Sequence, residues 1–465
     1  MTPVTLGKTG LKVSPIGFGG YRISAQIPAH REALKLALTS GCNLIDTSTN
    51  YGDGQSEILI GEVLQELIQA QTLKREDVVV VTKIGYVQGE NLTLAQQRKE
   101  RGLGFKEMTE YSPDCCWHCI SPEFLRDQLG RSLARLKLPS VDVLLLHNPE
   151  YFLKSGGDHA EYYKRIKVAF QYLETEVTQG RIKHYGVSSN TLPSDKEDAE
   201  ATSLEILLEI AKEIGAKNFS VIQFPFNLYE PDAALGDLLE RAKTANLGTL
   251  INRPLNAFYG NKLIRLADFP SHTDRDVEDE LKEAFLSALQ TESDYPGKQY
   301  LPAKEVAWAH ILRQNFEKLH DLEGWKNILE FQIKPAMVEA EDILRQYDEM
   351  TTWLDDYLAD SEALFNCITI YLEEITSALS RKISKLLDET APALKSSKTL
   401  SQKTLRVYRS FPGLHCVLVG MRKADYVRDS LTLAPVLTEE QALSVLKAIQ
   451  HDIHEGAHET PEAAH

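Results

Sequence analysis

The sequence predicts an α/β fold of the (β/α)8 barrel class, with an N-terminal β-hairpin and a mostly α-helical insertion between strands 7 and 8. Three observations carry this expectation. Apolar runs of strand length recur from Ser14 to Met421 and stop at Gly20, Asp46, Lys83, His147, Ser188, Gln223, Arg253 and Gly420. Segments of helical periodicity fit between them. The strand ends are evenly spaced except for two gaps, after Lys83 and after Arg253.

VTLGKTGLKVSP alternates around a Gly-Lys-Thr-Gly turn and predicts the hairpin, and IGFGG then gives the first buried strand. In Ala29 to Ser40, residues Ala33, Leu34, Ala37 and Leu38 share one helical face, and Gly41 closes that helix. Cys42 to Ile45 is the second strand; it ends at Asp46, a polar bend carries Tyr51, and a helix runs from Ser56 to Gln69. Asp77 to Thr82 is nearly continuous valine before Lys83, as in a parallel strand covered on both faces. After Pro122 the segment EFLRDQLGRSLARLKL is amphipathic, and VDVLLLH ends at His147. RIKHYGVSSN, FSVIQFPFNL and GTLINRPLN are the next strands, carrying Ser188 and Ser189, Gln223, and Asn252 with Arg253. CVLVGM is the last, before a helix start at Arg422.

The first gap, Gly85 through Cys119, reads as a long loop on the face of the strand ends. The second is too long for a structureless connection. From Leu364 the residues Ile368, Leu372, Ile375, Leu379, Ile383 and Leu386 keep helical spacing, and Glu305 to Leu319 and Ala336 to Leu358 look similar. The expected division is barrel strands 1 to 7 in 1–265, helical insertion in 266–400, barrel completion in 401–450, and a disordered tail in 451–465.

With 43% hydrophobic residues and a formal net charge of -16, the chain is disfavoured as a general partner of nucleic acid or anionic membrane. Its amino end has no basic region leading into an apolar core, and no run approaches membrane-spanning length, so a cytoplasmic protein is expected. There the 6 cysteines would stay reduced. Cys115, Cys116 and Cys119 in CCWHC offer a C-x-x-C pair around His118, but no second pair completes a zinc site. A structural or incidental cluster is expected, with a Cys116–Cys119 disulfide as the alternative.

On one face of a barrel, Asp46, Tyr51, Lys83 and His147 would meet. Lysine beside tyrosine favours the phenolate and lowers the phenol's pKa, Asp46 would hold Lys83 charged, and His147 would orient a carbonyl oxygen. This set protonates an oxygen while something else attacks carbon, and without an evident nucleophile or metal set a cofactor hydride is the complement.

LGKTGLKVSPIGFGG, GCNLIDTSTNYGDGQSEILIGEVL, VVVTKIG, VDVLLLHNPE, GRIKHYGVSSN and VIQFPFNLYE together resemble the aldo-keto reductase superfamily. The resemblance implies a TIM barrel binding NADP(H) across the carboxyl ends of its strands, with NAD(H) as the alternative, and a small carbonyl or alcohol substrate. It places the catalytic Asp, Tyr, Lys and His on Asp46, Tyr51, Lys83 and His147. Ser188, Ser189 and Gln223 would take the nicotinamide carboxamide, Gly20 and Tyr21 would border the ring, and Asp46, Asn252, Arg253, Leu255, Gly420 and Arg422 complete the expected cofactor contacts. Asn252 stands where the family commonly has a stacking aromatic, and Ser189 where it usually has asparagine. The insertion has no counterpart in the resemblance. Its size keeps open a reductase-like nucleotide-binding module that senses redox state, or docks a protein partner or second copy through the helices.

Overall fold

The computed structural model describes residues 2–259, 262–319 and 321–459. Eight parallel strands close a barrel in sequence order: β1 Ile16–Gly19, β2 Leu44–Asp46, β3 Val79–Ile84, β4 Val141–His147, β5 Ile182–Ser188, β6 Phe219–Pro225, β7 Gly248–Asn252 and β8 Cys416–Val419. Val4–Thr5 pairs antiparallel with Lys12–Val13 as the expected hairpin. Its Leu6 and Val13 are enclosed with Leu44, Val81, Val143, Leu145, Val221 and Leu250, which form the apolar interior of the barrel. The interior is branched aliphatic because strands covered on both faces have no solvated side for polar residues.

Register sets the level of the polar strand ends. Gly19 pairs with Asp46, Lys83 with Leu145, and Ser188 with both His147 and Gln223. A bulge between Tyr185 and Gly186 makes the last pairing: Tyr185 faces Phe219 while Gly186 faces Val221, so Ser220 is the extra residue. A Cβ at Gly186 would lie 1.6 Å from the Val221 carbonyl oxygen, which restricts this position to glycine.

The first gap is more than a loop. It holds a helix, Gly89–Glu100, and a three-stranded antiparallel sheet in which Cys116–His118 lies between Tyr86–Val87 and Thr109–Ser112. All 6 cysteines are free. Cys116 and Cys119 differ by an odd number along an extended segment and so point to opposite sides; the Cys119 thiol turns to the Lys106 carbonyl and the Ser121 hydroxyl, which removes the disulfide alternative.

The chain separates into two compact units, residues 1–257 with 387–465, and residues 258–386. The second unit therefore starts and ends earlier than 266–400. Segment 392–400, expected within the insertion, belongs to the barrel unit, where Leu394 and Leu400 are buried. The helical unit has its own core of Leu281, Phe285, Trp325, Tyr357, Leu364 and Ile368. The helix expected over Ala336 to Leu358 is interrupted: Lys334–Leu344 ends, a 3-10 turn at Asp348–Met350 buries Met350, and a 40-residue helix runs Thr351–Thr390. The tail also differs from expectation, since the helix Glu439–Glu459 extends into it; residues 460–465 lie outside the described residues. Among the described residues, no helix is long and apolar enough to cross a membrane.

Candidate active site

The bend after β2 is held against the end of β3 by main-chain bonds, Thr47 N–H to Val81 O at 2.8 Å and Thr49 N–H to Lys83 O at 3.1 Å. Gly20 N–H donates to Asp46 O at 2.8 Å, and Ser56 Oγ to Gly20 O at 2.9 Å, so the ends of β1 and β2 and the next helix share one junction. A Cβ at Gly20 would meet both Asp46 O and Ser56 Oγ at 2.8 Å. This explains glycine there without reference to any ligand.

Four of the expected groups are brought together. Lys83, fully enclosed, donates from Nζ to Asp46 Oδ2 at 2.6 Å and to Thr47 O at 2.9 Å, and lies 4.8 Å from the Tyr51 ring centroid. Tyr51 meets His147 edge-on with centroids 5.9 Å apart, and Tyr21 with centroids 5.0 Å apart. Burial pushes the Asp46 carboxyl up and the Lys83 ammonium down, and their contact opposes both shifts. The expected lowering of the Tyr51 pKa is not found. Burial first, then the negative charge of Asp46, pushes this phenol well above 10. Tyr51 is thus held protonated. Burial, with Lys83 nearby, pushes His147 well below the usual imidazole range and keeps it neutral.

A second chain continues from Asp46. Gln223 Nε2 donates to Asp46 Oδ1 at 2.8 Å, and Gln223 Oε1 accepts from Ser188 Oγ at 3.1 Å and from Asn252 Nδ2 at 3.5 Å. Ser189 is not part of it: its hydroxyl faces Thr202 at 3.1 Å and Thr191 at 3.2 Å. Arg253, at φ 55° and bonded to Glu230 at 2.9 Å, and half-buried Leu255 lie in the turn after β7. Gly420 follows β8 with open space where a Cβ would stand, and Arg422 is half-buried just before the helix Ala424–Leu431. Tyr21 is 63% exposed at the rim.

Several neighbours escaped the sequence reading. Ser48 Oγ lies 2.9 Å from His147 Nδ1, and His118 Nε2–H donates to His147 O at 2.8 Å. Tyr86 stands edge-on to His147 at 4.6 Å, followed by Tyr151 at 5.0 Å and then Tyr111 at 4.7 Å, making an aromatic wall. Glu150, fully buried, accepts from Asn190 N–H at 2.9 Å while its second oxygen has no partner. Glu150 drew no notice in the sequence. Ser48 looked like a turn-forming residue.

Compared with known proteins, residues 15–328 match the Aldo/keto reductase family. The chain belongs to that family. It is 27% identical over 259 residues to the L-galactose dehydrogenase of Arabidopsis thaliana, covering 54% of this chain and 64% of the relative. To the 6-dehydroglucose reductase of Novosphingobium aromaticivorans it is 29% identical, over 40% of this chain and 51% of the relative. To the NADH-specific methylglyoxal reductase of Escherichia coli it is 30% identical, over 32% and 42%. The chain thus spans less than two thirds of each relative's length. The relatives are named as one dehydrogenase and two reductases, one of them NADH-specific, and the family typically uses a nicotinamide cofactor.

Whether the residues present suit that cofactor can be asked of the buried polar atoms. Asn252 Oδ1 is buried with no hydrogen-bond partner, beside the Ser188–Gln223 pair. A carboxamide N–H supplies what this oxygen lacks, so the donor set fits.

Proposed function

We propose that this family member reduces the carbonyl of a small molecule with Tyr51 as proton donor. The observation that carries the reading is a tyrosine held protonated between a buried lysine and a neutral histidine at the strand ends. Ser188, Gln223 and Asn252 would hold the carboxamide of the nicotinamide, with Gly20 and Tyr21 bordering its ring. When bound, the reduced cofactor supplies a hydride to the carbonyl carbon. Tyr51 gives its phenolic proton to the carbonyl oxygen, and the phenolate left behind is stabilised by Lys83, itself held by Asp46. Gly420, Arg422, Lys423 and the turn at Arg253 to Leu255 would serve the remainder of the cofactor. The cations Arg422 and Lys423 favour NADP(H) through a 2'-phosphate; the relative named as NADH-specific supports testing NAD(H) beside it. Two relatives are named for sugar-related substrates, which supports including hydroxylated carbonyl compounds among candidates.

The test is a panel of carbonyl compounds assayed with NADPH and with NADH. Tyr51→Phe should lower turnover at least ~100-fold while cofactor binding, read by fluorescence quenching, stays within about twofold. Retained turnover in that variant would remove Tyr51 as the acid.

A further inference from the structure

We propose that Arg406 and Arg409 form an anion site in the barrel unit, on the helix that leads into β8, and that it takes the dianionic phosphate group of a free phosphate ion or of a small phosphate monoester. The site is distinct from the strand ends. Arg422 and Lys423, proposed above for the cofactor, follow β8, whereas this pair precedes it.

The charge pattern of the sequence already sets this stretch apart. In a chain of net charge -16, residues 391–424 hold 7 lysines and arginines and neither aspartate nor glutamate. Lys403 is taken by Asp388 at 2.7 Å. Asp429, the second acid to follow the stretch, faces the hydroxyls of Thr399 and Ser401 and the Gln402 amide. Neither acid reaches the two arginines.

The helix Leu400–Tyr408 is capped by Arg409, so the arginines stand three residues apart on one side of its last turn. Arg406 is 6% exposed and Arg409 is half-buried. Arg406 donates from Nε to Pro435 O, and from Nη1 to Ala393 O at 2.7 Å and Ser396 Oγ at 2.9 Å; Arg409 donates from Nη1 to Ala434 O at 3.2 Å. All four acceptors are neutral. Arg409 Nε is buried without an acceptor, and the hydroxyl of Ser397, next to Ser396, is buried without a partner. Among the described residues, Nη2 of neither arginine has an acceptor. Burial lowers the pKa of both guanidiniums, and the positive charge of Arg406 lowers that of Arg409 further.

A guanidinium does not give up its proton near neutral pH, so two such charges turned away from water call for a counter-charge rather than neutralisation. Main-chain oxygens direct the groups but bring no net charge. The unfilled Nε–H of Arg409 and the Nη2–H beside it form the side-on fork that matches two oxygens of an oxyanion. A dianion balances the pair, whereas a carboxylate brings one charge and two oxygens to a larger set of donors. Lys395 and Lys398, both exposed on the adjoining stretch, raise the local potential met by an approaching anion. The cradle also holds itself in place without the anion. Ser410 Oγ donates to Arg406 O at 2.7 Å and accepts from Leu437 N–H at 2.9 Å, which ties the stretch bearing Ala434 and Pro435 to the helix end.

The test is calorimetric titration of the full chain with sodium phosphate, glycerol 3-phosphate and acetate at matched ionic strength. Phosphate should saturate the wild type with a Kd of about 1 mM or below, and acetate should bind at least ~10-fold more weakly. Arg409→Gln should weaken phosphate at least ~10-fold, Arg409→Lys, which keeps the charge and loses the fork, should fall between the two, and Arg422→Gln should stay within about twofold of the wild type. Melting curves separate binding from folding. In phosphate-free chloride Arg409→Gln should melt no more than ~2 °C below the wild type, because it removes an unbalanced charge, while the extra rise that phosphate gives the wild type should be lost. Equal phosphate affinity in wild type and Arg409→Gln overturns the proposal, as does failure to saturate by about 20 mM. Loss of binding in Arg422→Gln also overturns it, since the phosphate would then sit after β8. Equal affinity for phosphate and glycerol 3-phosphate supports the free ion as the ligand, and at least ~10-fold tighter binding of the ester supports a phosphorylated small molecule.

Discussion

In the barrel unit the groups enclosed at the strand ends are ionisable, Lys83 at 0% exposure beside Asp46 at 4%, whereas the helical unit encloses Trp325, Leu364, Ile368 and Tyr357. Glu292 is the main buried charge of the second unit, and it is spent on helix-start N–H groups at Ala309 and His310. The difference separates two uses of a protein interior. Apolar enclosure stabilises whatever shape it fills, while an enclosed ion pair returns little net stability and is costly to break from one side. The barrel retains such a pair where the strand ends converge on Tyr51, which is where a reaction would need it.

Substitutions can break or sharpen this contrast. Lys83→Met should have the largest effect, leaving Asp46 buried without its partner at a cost of about 3–5 kcal/mol in urea unfolding, together with loss of carbonyl reduction. If turnover survived, the pair would be structural and the contrast with the helical unit would vanish. Trp325→Ala, which empties a fully buried site and removes the bond from Nε1 to Thr369 Oγ1, should cost roughly 3 kcal/mol, read from unfolding of the helical unit by circular dichroism. The smallest effect is expected at Glu150, where burial raises the carboxyl to about 7 against Lys154 and two N–H bonds. Its folded pKa exceeds the unfolded value, so the stabilisation is complete below pH ~4.5 and is lost as pH rises through ~7. Glu150→Gln should flatten that slope, by an amount of the order of 2–3 kcal/mol between the two limits, in melts taken across this range.

The strand ends were legible because a continuous apolar run needs no partner to be recognised, and the polar residue that stops it marks the barrel mouth. Asp46, Lys83, His147 and Gln223 were all found this way. The sheet within 85–119 was not, because Tyr86–Val87 and Thr109–Ser112 are too short to show alternation. Ser48 was missed for a different reason: its partners Lys83 and His147 lie 35 and 99 residues away, and next to Thr47 and Thr49 it reads as part of a turn. The pKa of Tyr51 was misjudged because sequence shows that a lysine is near without showing how deeply the phenol is enclosed beside Asp46. Helical spacing revealed that a helical region exists, and the break at 345–350 escaped because Leu344, Tyr347, Met350 and Leu354 keep helical spacing across it.

The bulge at Ser220 gives the site a dependence of another kind. Were Tyr185 opposite Phe219 followed by unbroken pairing, Ser188 would face Ile222, and Gln223 would stand one step beyond it. Alternate residues of a strand face opposite ways. The alignment of Ser188 with Gln223, and through Gln223 with Asp46, therefore rests on how many residues precede it in β6 as much as on which residues they are. Ser220 is itself buried, with its hydroxyl donating to Asn218 O at 3.1 Å, and removing it would shift every later residue of β6 by one place against β5. The arithmetic of one strand is in this sense part of the site's construction.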